Sequence, residues 1–336
     1  MKCGTANITK NPANARENGQ KPQGAKMDFA LSTSWNASRA KNPKDLLFEI
    51  SQLGFKQIEL SFNLSSAALR EIGDLAGQFG ERIVSLHNYC PFPDEFSREN
   101  GLPDCYSMSS LDEFQRNLAI KYTKRTLDTA YALGAKAVVL HCGRVEIADQ
   151  TRQLINLYDQ GQKDSPEFIQ IKSQMLKQRQ DLAKSSLDHT LKSLDQINDY
   201  AKSKNISLGV ETRFYHREIP LLDELKVILE KFKNSQVFYW HDTGHAQLME
   251  NLGFAKHKDF LELGAGRLLG VHLHDIASCR DHFAPGEGDL DFSILNPYLK
   301  KETLKVIEAH APATGAQIIK GREQLTKIFN TPNANS

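Results

Sequence analysis

Eight short apolar runs, each separated from the next by a longer amphipathic stretch, constrain the fold of this 336-residue chain more than any other feature. The intervening stretches, such as NPKDLLFEISQL and SAALREIGDLAGQF, repeat apolar residues at the three- and four-residue spacing of a helix face. Strands that alternate with helices form a parallel sheet, because parallel neighbours need a long crossover connection. The apolar runs are residues 28–33, 56–61, 82–87, 135–141, 206–211, 237–242, 268–274 and 304–309.

Eight strand–helix units predict an α/β fold, a single closed (β/α)8 TIM barrel, which typically takes ~250 residues plus insertions. The alternative is an open doubly wound sheet, but no glycine-rich phosphate-binding fingerprint follows the first run. Insertions are predicted at residues 88–110, after the third strand, and at residues 142–181, after the fourth. Both follow the carboxyl ends of strands, which form the catalytic face of such barrels, so they would supply a lid or substrate walls.

Composition separates the barrel from its N-terminal segment. Residues 1–26 are rich in Asn, Gly, Lys and Pro, which predicts a disordered extension before a barrel domain at residues 27–336. The net charge of +1, without a basic stripe, counts against a nucleic-acid partner. The apolar runs are too short to span a membrane, and the five cysteines form no CxxC pair. A reduced, cytoplasmic location is therefore expected.

Residue types that bind metals stand at the carboxyl ends of six successive predicted strands. Each one alone has a structural explanation, as a loop cap or an ion-pair partner. Their joint occurrence is harder to explain in that way, because a barrel places these strand ends around one ring. Carboxylates gathered there would repel one another unless a divalent cation such as Mn, Co, Zn or Mg balanced them. The residues are His87, His141, Glu211, Asp242, His272 with His274, and Glu308.

The segment HDTGHA adds His245 three residues after Asp242. If a helix begins there, Asp242 caps it and His245 lies in its first turn. His245 would then either bind the metal or orient a residue that does. His189 and His257 stand in segments that read as surface, so we expect their side chains to be solvated.

Together these segments resemble the xylose-isomerase-like TIM barrels, a superfamily of sugar isomerases, ketose 3-epimerases and apurinic/apyrimidinic endonucleases. The resemblance spans residues 28–330, and PGEGDLDF and HDTGHA are its most specific motifs. The other matching segments are SLHNY, VVLHCG, GVETR, VHLHD and VIEAH.

The resemblance implies a divalent-metal site at Glu211, Asp242, His272 and Glu308. His272 is preferred to His274 because HLHD matches the family pattern in which the first histidine binds the metal. Glu211 and Glu308 would face each other across the substrate as an acid/base pair. For Arg213, an ion pair within the protein is as good an interpretation as a contact with substrate. The residues implied for contact with substrate are His87, His141, Arg213, His245, His274 and His282.

The function predicted in this way is metal-dependent isomerisation or epimerisation of a sugar or sugar phosphate, with proton transfer between two glutamates through an enediolate. Related barrels often assemble, so a homo-oligomer is also expected.

An endonuclease acting on abasic DNA is the alternative function. That branch has two further metals, one of them at positions matching His87, His141 and Glu211. The other uses positions matching His245, an aspartate and His282. Here the aspartate position is Arg280, with Asp281 one place away, and this departure favours sugar chemistry.

Overall fold

The computed structural model describes residues 27–96 and 103–331. The predicted extension at residues 1–26 lies outside the described residues. Within the described ranges, every helix is too short or too polar to cross a lipid bilayer.

Eight parallel strands close into a barrel, as the sequence predicts. The barrel strands are β1 (Ala30–Ser32), β2 (Gln57–Leu60), β3 (Arg82–His87), β4 (Ala137–Leu140), β5 (Ser207–Glu211), β6 (Val237–Asp242), β7 (Leu268–Leu273) and β10 (Leu304–Ile307). The hydrogen-bonded order around the ring is β1-β10-β7-β6-β5-β4-β3-β2, and β1 closes it by pairing with both β2 and β10.

Helices surround the barrel, and many begin at a residue whose side chain accepts a backbone N–H of the first turn. The helices are α1 (Pro43–Gln52), α2 (Ser66–Ala76), α3 (Glu113–Ala132), α4 (Thr151–Asp159), α5 (Pro166–Lys204), α6 (Leu222–Lys231), α7 (Thr243–Asn251), α8 (His257–Gly264) and α9 (Gly315–Asn330). The capping residues are Asn42, Ser65, Asp112, Ser165, Asp242 and Thr314.

Trp240 fills the centre of the barrel beneath the carboxyl ends of the strands. It is fully buried, and its ring lies 5.1 Å from that of His272. Gly209 on β5 and Gly270 on β7 flank the indole, and a Cβ at either position would collide with it. The two glycines therefore make room for a large apolar floor under the polar strand ends.

The insertion after β4 builds a second apolar cluster on the same end of the barrel. Leu154 of α4 and Phe168 of α5 pack there with Phe214 and Leu248. The boundary predicted at residue 181 falls inside α5, a continuous 39-residue helix about 58 Å long. The first half of this helix belongs to the insertion and the second half to the outer ring.

A hairpin that the sequence did not reveal, β8 (Asp275–Ala277) and β9 (Arg280–Phe283), follows β7. The carboxylate of Asp275 accepts the backbone N–H groups of Gly286 and Leu290, at 2.8 and 3.0 Å. These bonds fold the PGEGDLDF segment back against the hairpin.

The prediction that His257 is solvated is wrong, because its ring turns inward at the start of α8 and is fully buried. His189 is partly exposed on α5.

Candidate metal centre

Four side chains from four different strands converge at the carboxyl end of the barrel. Glu211 ends β5, Asp242 ends β6, His272 lies on β7 and Glu308 follows β10. One nitrogen or oxygen atom from each lies within 4.8 Å of the others, and all four side chains are buried. The parallel barrel thus brings together residues that are almost one hundred positions apart in the sequence.

The contacts of His272 fit a cation at this place. Its Nε2 lies 3.0 Å from Glu59 Oε1, while its Nδ1 lies 2.6 Å from Glu211 Oε1 and 2.8 Å from Glu308 Oε2. If Nε2–H donates to Glu59, the Nδ1 lone pair of a neutral ring faces two carboxylate oxygens. A divalent ion among these three atoms replaces that repulsion with ligation.

A proton competes with a metal ion for the same nitrogen. Burial alone would lower the pKa of His272, but the carboxylates of Glu308 and Glu59 hold it well above its ordinary value. A doubly protonated ring can donate to the carboxylates on both sides. The carboxylates therefore favour a positive charge at this place, either the proton of His272 or a bound cation, and acid would displace the metal.

Both nitrogens of His274, like those of His272, have partners within the protein. Its Nε2 lies 2.9 Å from Asp242 Oδ1, and its Nδ1 accepts the backbone N–H of His282 at 3.0 Å. The ring is fully buried, and one of its nitrogens lies within 4.8 Å of ligand atoms of His245 and His282. A Cβ at Gly244 would overlap this imidazole, which explains the glycine in HDTGHA.

Asp242 caps α7, as the sequence predicts, by accepting the backbone N–H of His245 at 2.8 Å. The ring of His245 donates from Nδ1 to the carbonyl oxygen of Thr212, at 2.9 Å. Its Nε2 is thereby directed into the cavity, where it lies 3.6 Å from Asp281 Oδ2. Burial lowers the pKa of His245, which favours the neutral ring.

Two histidines lie near the second carboxylate oxygen of Glu211. His141 Nε2 lies 2.8 Å from Glu211 Oε2, and His87 Nε2 lies 3.8 Å from the same oxygen. Asp104, in the insertion after β3, lies 2.9 Å from His141 Nδ1. Burial and Arg213 lower the pKa of His141, but Asp104 outweighs them and raises it to about 9. Sequence reasoning missed Asp104, because no local pattern marks it.

Asp281 supplies the acidic side chain that the sequence analysis found missing at position 280. Its Oδ2 lies 2.9 Å from His282 Nδ1, so both side chains face the cavity. His282 has φ +60°, a left-handed conformation that interrupts the alternation of β9. The exposed Arg280 turns away and lies over the ring of Phe283.

Arg213 is buried beside the candidate ligands and is surrounded by carboxylates. It donates from Nη1 to Glu211 Oε2, and its Nη2 lies 3.1 Å from Glu218 Oε1 and 3.7 Å from Asp104 Oδ2. The three acids balance its charge within the protein. The geometry matches the ion-pair alternative of the sequence analysis.

A cavity of about 340 Å³ opens above these groups. Its lining combines Glu211, Glu308 and the histidines with aromatic walls from Phe62, Phe214 and Tyr215. A larger groove, of about 820 Å³, lies between α2 and α3, away from the strand ends. The smaller cavity carries the convergent polar chemistry, so it is the candidate site.

Comparisons with known proteins agree with this architecture. The chain is 25% identical over 206 residues to the uncharacterized protein y4fM of Sinorhizobium fredii (strain NBRC 101917 / NGR234), covering 61% of this chain and about half, 53%, of the relative.

Similar solved structures share the fold at low sequence identity. A D-tagatose 3-epimerase-like protein has a TM-score of 0.64 at 18% identity, covering 90% of this chain and 97% of that one. The 3-keto-D-glucoside 4-epimerase YcjR from E. coli has a TM-score of 0.63 at 15% identity, covering 90% and 100%. The IOLI protein with a bound zinc atom has a TM-score of 0.60 at 14% identity, covering 90% and 98%.

The sequence profile of one family matches residues 47–320, most of the described barrel. By this match and by its closed eight-stranded ring, the chain belongs to the xylose isomerase-like TIM barrel family.

Proposed function

We propose that this protein is a divalent-metal-dependent isomerase or epimerase of a sugar or sugar phosphate. The observation that carries the proposal is the meeting of Glu211 and Glu308 at Nδ1 of His272, at 2.6 and 2.8 Å. Two carboxylates on either side of one cation position suit proton abstraction next to a carbonyl. The similar structures named for sugar epimerases support the same class.

Glu211, Asp242, His272 and Glu308 would hold the ion. A bound divalent ion supplies a Lewis acid that acidifies the C–H bond next to a sugar carbonyl. One of the two glutamates removes that proton. The other returns a proton on the opposite face in an epimerisation, or at the neighbouring carbon in an isomerisation. General acid–base catalysis of this kind contributes roughly 10²–10⁴-fold to the rate.

The neighbouring groups bind and orient the substrate. His245 presents Nε2 to the cavity, and His282 lies beside it with 5.6 Å between the ring centroids. Both rings can exchange hydrogen bonds with sugar hydroxyls. Phe62 and Phe214 offer apolar walls for the carbon face of the sugar and help to exclude water.

The proposal is tested by loading the protein with Mn²⁺ or Co²⁺ and incubating it with a panel of ketoses in D₂O. We expect solvent deuterium to enter the carbon next to the carbonyl, as detected by NMR. E211Q and E308Q should slow the exchange by about 10²-fold or more, because each lacks a proton carrier.

Metal content measured on the same samples separates loss of the ion from loss of the proton carrier. The exposed Glu146, which pairs with Arg144, provides the control E146Q, and this variant should exchange at the wild-type rate. A metal-loaded protein that exchanges deuterium into no ketose of the panel contradicts the proposal.

Endonuclease activity on abasic DNA is the second candidate, and the position of Asp281 favours it. The carboxylate lies between His245 and His282, at 3.6 and 2.9 Å, so the described residues supply a complete third group of possible ligands. Cleavage of a duplex oligonucleotide with one abasic site, by protein loaded with Zn²⁺, would establish this function. An intact oligonucleotide together with deuterium exchange into a ketose would exclude it.

A further inference from the structure

An exposed arginine lines the mouth of the candidate cavity. Arg152 is the second residue of α4, and it faces the same space as Glu211 and Glu308. Its Nη2 donates to the hydroxyl oxygen of Tyr215 at 2.6 Å. Among the residues that the structure describes, no carboxylate oxygen lies within 4.0 Å of its guanidinium.

Arg213, the other arginine of the cavity wall, cannot offer the same charge. It is buried, and the carboxylates of Glu211, Glu218 and Asp104 surround it. A substrate anion would have to displace these acids to reach it. Arg152 therefore carries the uncompensated guanidinium of the described cavity lining.

Local packing fixes the orientation of Arg152. Its guanidinium carbon lies 5.9 Å from the ring centroid of Phe214 and 5.5 Å from that of Tyr215. The preceding residue, Thr151, is buried and accepts the backbone N–H of His216, which ties α4 to the loop that follows β5. The insertion thus holds the guanidinium of Arg152 at the mouth of the cavity.

The hydrogen bond between Arg152 and Tyr215 leaves donors for a ligand. Because the Tyr215 oxygen accepts from Nη2, its own hydroxyl hydrogen remains free to donate. The remaining guanidinium N–H groups form a planar fork that matches the oxygens of a phosphate or carboxylate. A neutral sugar hydroxyl would gain less from this pair of donors.

We infer that the substrate carries a phosphate or carboxylate group and that Arg152, with Tyr215, binds it. The inference rests on the proposed sugar chemistry and names its substrate class. In this role Arg152 binds the anionic group of the substrate, so it sets specificity and takes no part in proton transfer.

The test measures deuterium exchange on matched probes: D-tagatose, D-tagatose 6-phosphate and a ketose that carries a carboxylate. The wild-type protein should show a KM about tenfold or more lower for one of the anionic probes than for the neutral one. The preferred anionic probe identifies whether phosphate or carboxylate is recognised. This preference should weaken as salt screens the exposed charge.

R152Q should raise the KM of the anionic probe about tenfold or more and leave its kcat within about twofold. The KM of the neutral probe should stay unchanged, and R152K should restore part of the preference because it keeps the charge. The matched control is R144Q, since Arg144 lies in the same insertion but pairs with Glu146.

Two outcomes overturn the inference and leave the proposed function standing. In one, neutral and anionic ketoses react with equal KM. In the other, R152Q raises the KM of both alike.

If no sugar exchanges deuterium, calorimetric binding of D-glucitol 6-phosphate and D-glucitol replaces the kinetic test. A preference for the phosphate that R152Q removes supports the anion subsite while the proposed proton transfer fails. Equal binding of the two polyols rejects both.

Discussion

Glu59 determines how the imidazole of His272 is presented to the cation position. It lies on β2, fully buried, and each of its oxygens has one partner. Oε1 lies 3.0 Å from His272 Nε2, and Oε2 accepts the hydroxyl of Ser85 at 2.7 Å. A carboxylate behind a metal-binding histidine fixes the tautomer and raises the basicity of the nitrogen that faces the ion.

E59Q should therefore weaken Mn²⁺ binding about 10–100-fold, because a neutral amide is a poorer acceptor for the His272 N–H. Competition with a fluorescent chelator measures the affinity. E49Q is the control, since Glu49 is a partly exposed glutamate that pairs with Arg39. An unchanged Mn²⁺ affinity in E59Q would show that Glu59 has only a packing role.

A buried chain of hydrogen bonds joins β6 to the helices that follow it. Thr212 Oγ1 and Tyr239 Oη are 2.6 Å apart, and Tyr239 Oη lies 2.7 Å from His241 Nδ1. His241 Nε2 lies 2.9 Å from His257 Nε2, whose Nδ1 lies 3.0 Å from Gln247 Oε1.

This chain has a single direction when all of its members are neutral. The Gln247 oxygen only accepts, so His257 carries its hydrogen on Nδ1 and accepts at Nε2. His241 must then donate from Nε2 and accept from Tyr239 at Nδ1. Burial lowers the pKa of His257 to about 4 and that of His241 well below its ordinary value, so both rings stay neutral near pH 7.

H257F should lower the free energy of unfolding by about 1–3 kcal/mol, because it leaves the His241 Nε2–H buried without an acceptor. Urea denaturation followed by circular dichroism measures the change. H257Q, whose side-chain oxygen can accept, should recover part of it. H189F on the partly exposed face of α5 should change stability by less than about 0.5 kcal/mol. Equal stability of H257F and the wild type would show that the hydrogen bond between His241 and His257 does not stabilise the fold.

The elements differ in how far the sequence predicts them. Mostly apolar runs predict all eight barrel strands, because strands covered on both faces are rich in apolar residues. The β8–β9 hairpin escaped prediction because its turn has Ser278 at φ +58°, without the glycine or asparagine that marks such turns.

Some residues of the candidate site are likewise predicted from the sequence, and others are not. Barrel closure predicts that Glu211, Asp242, His272 and Glu308 meet, since each stands at or near a strand end. Asp281 and His282 are adjacent and yet both line the cavity, which the positive φ of His282 accompanies, and Glu59 contacts a residue 213 positions away. Neither effect leaves a local signal in the sequence.

Buried histidines should set the acid limit of the protein's stability. His216 stacks on Phe254 with ring centroids 4.1 Å apart, and neither of its nitrogens has a hydrogen-bond partner among the described residues. Burial, with Arg179 and Lys172 adding to it, lowers the pKa of His216 to about 3. Below about pH 6.5 the unfolded chain takes up a proton that the folded chain refuses until about pH 3. Stability is therefore lost as the pH falls through this window.

H216F should keep the stacking on Phe254 and remove the titrating ring. We expect the free energy of unfolding at pH 5 to rise by about 1–2 kcal/mol, with a smaller gain at pH 8. Urea denaturation of wild type and variant from pH 4 to pH 8 gives both values. Parallel pH profiles for the two proteins would show that His216 does not contribute to the acid loss.

The contacts of His272 come from strands near both ends of the sequence, so they form together only in the closed barrel. Glu59 is supplied early in synthesis and Glu308 late, yet both contact the same imidazole. If the proposed ion binds Glu211, Asp242, His272 and Glu308 together, its complete site forms only after β10 has paired with β1 and β7. A chain truncated before β10 would lack Glu308 and would therefore present fewer of these donors.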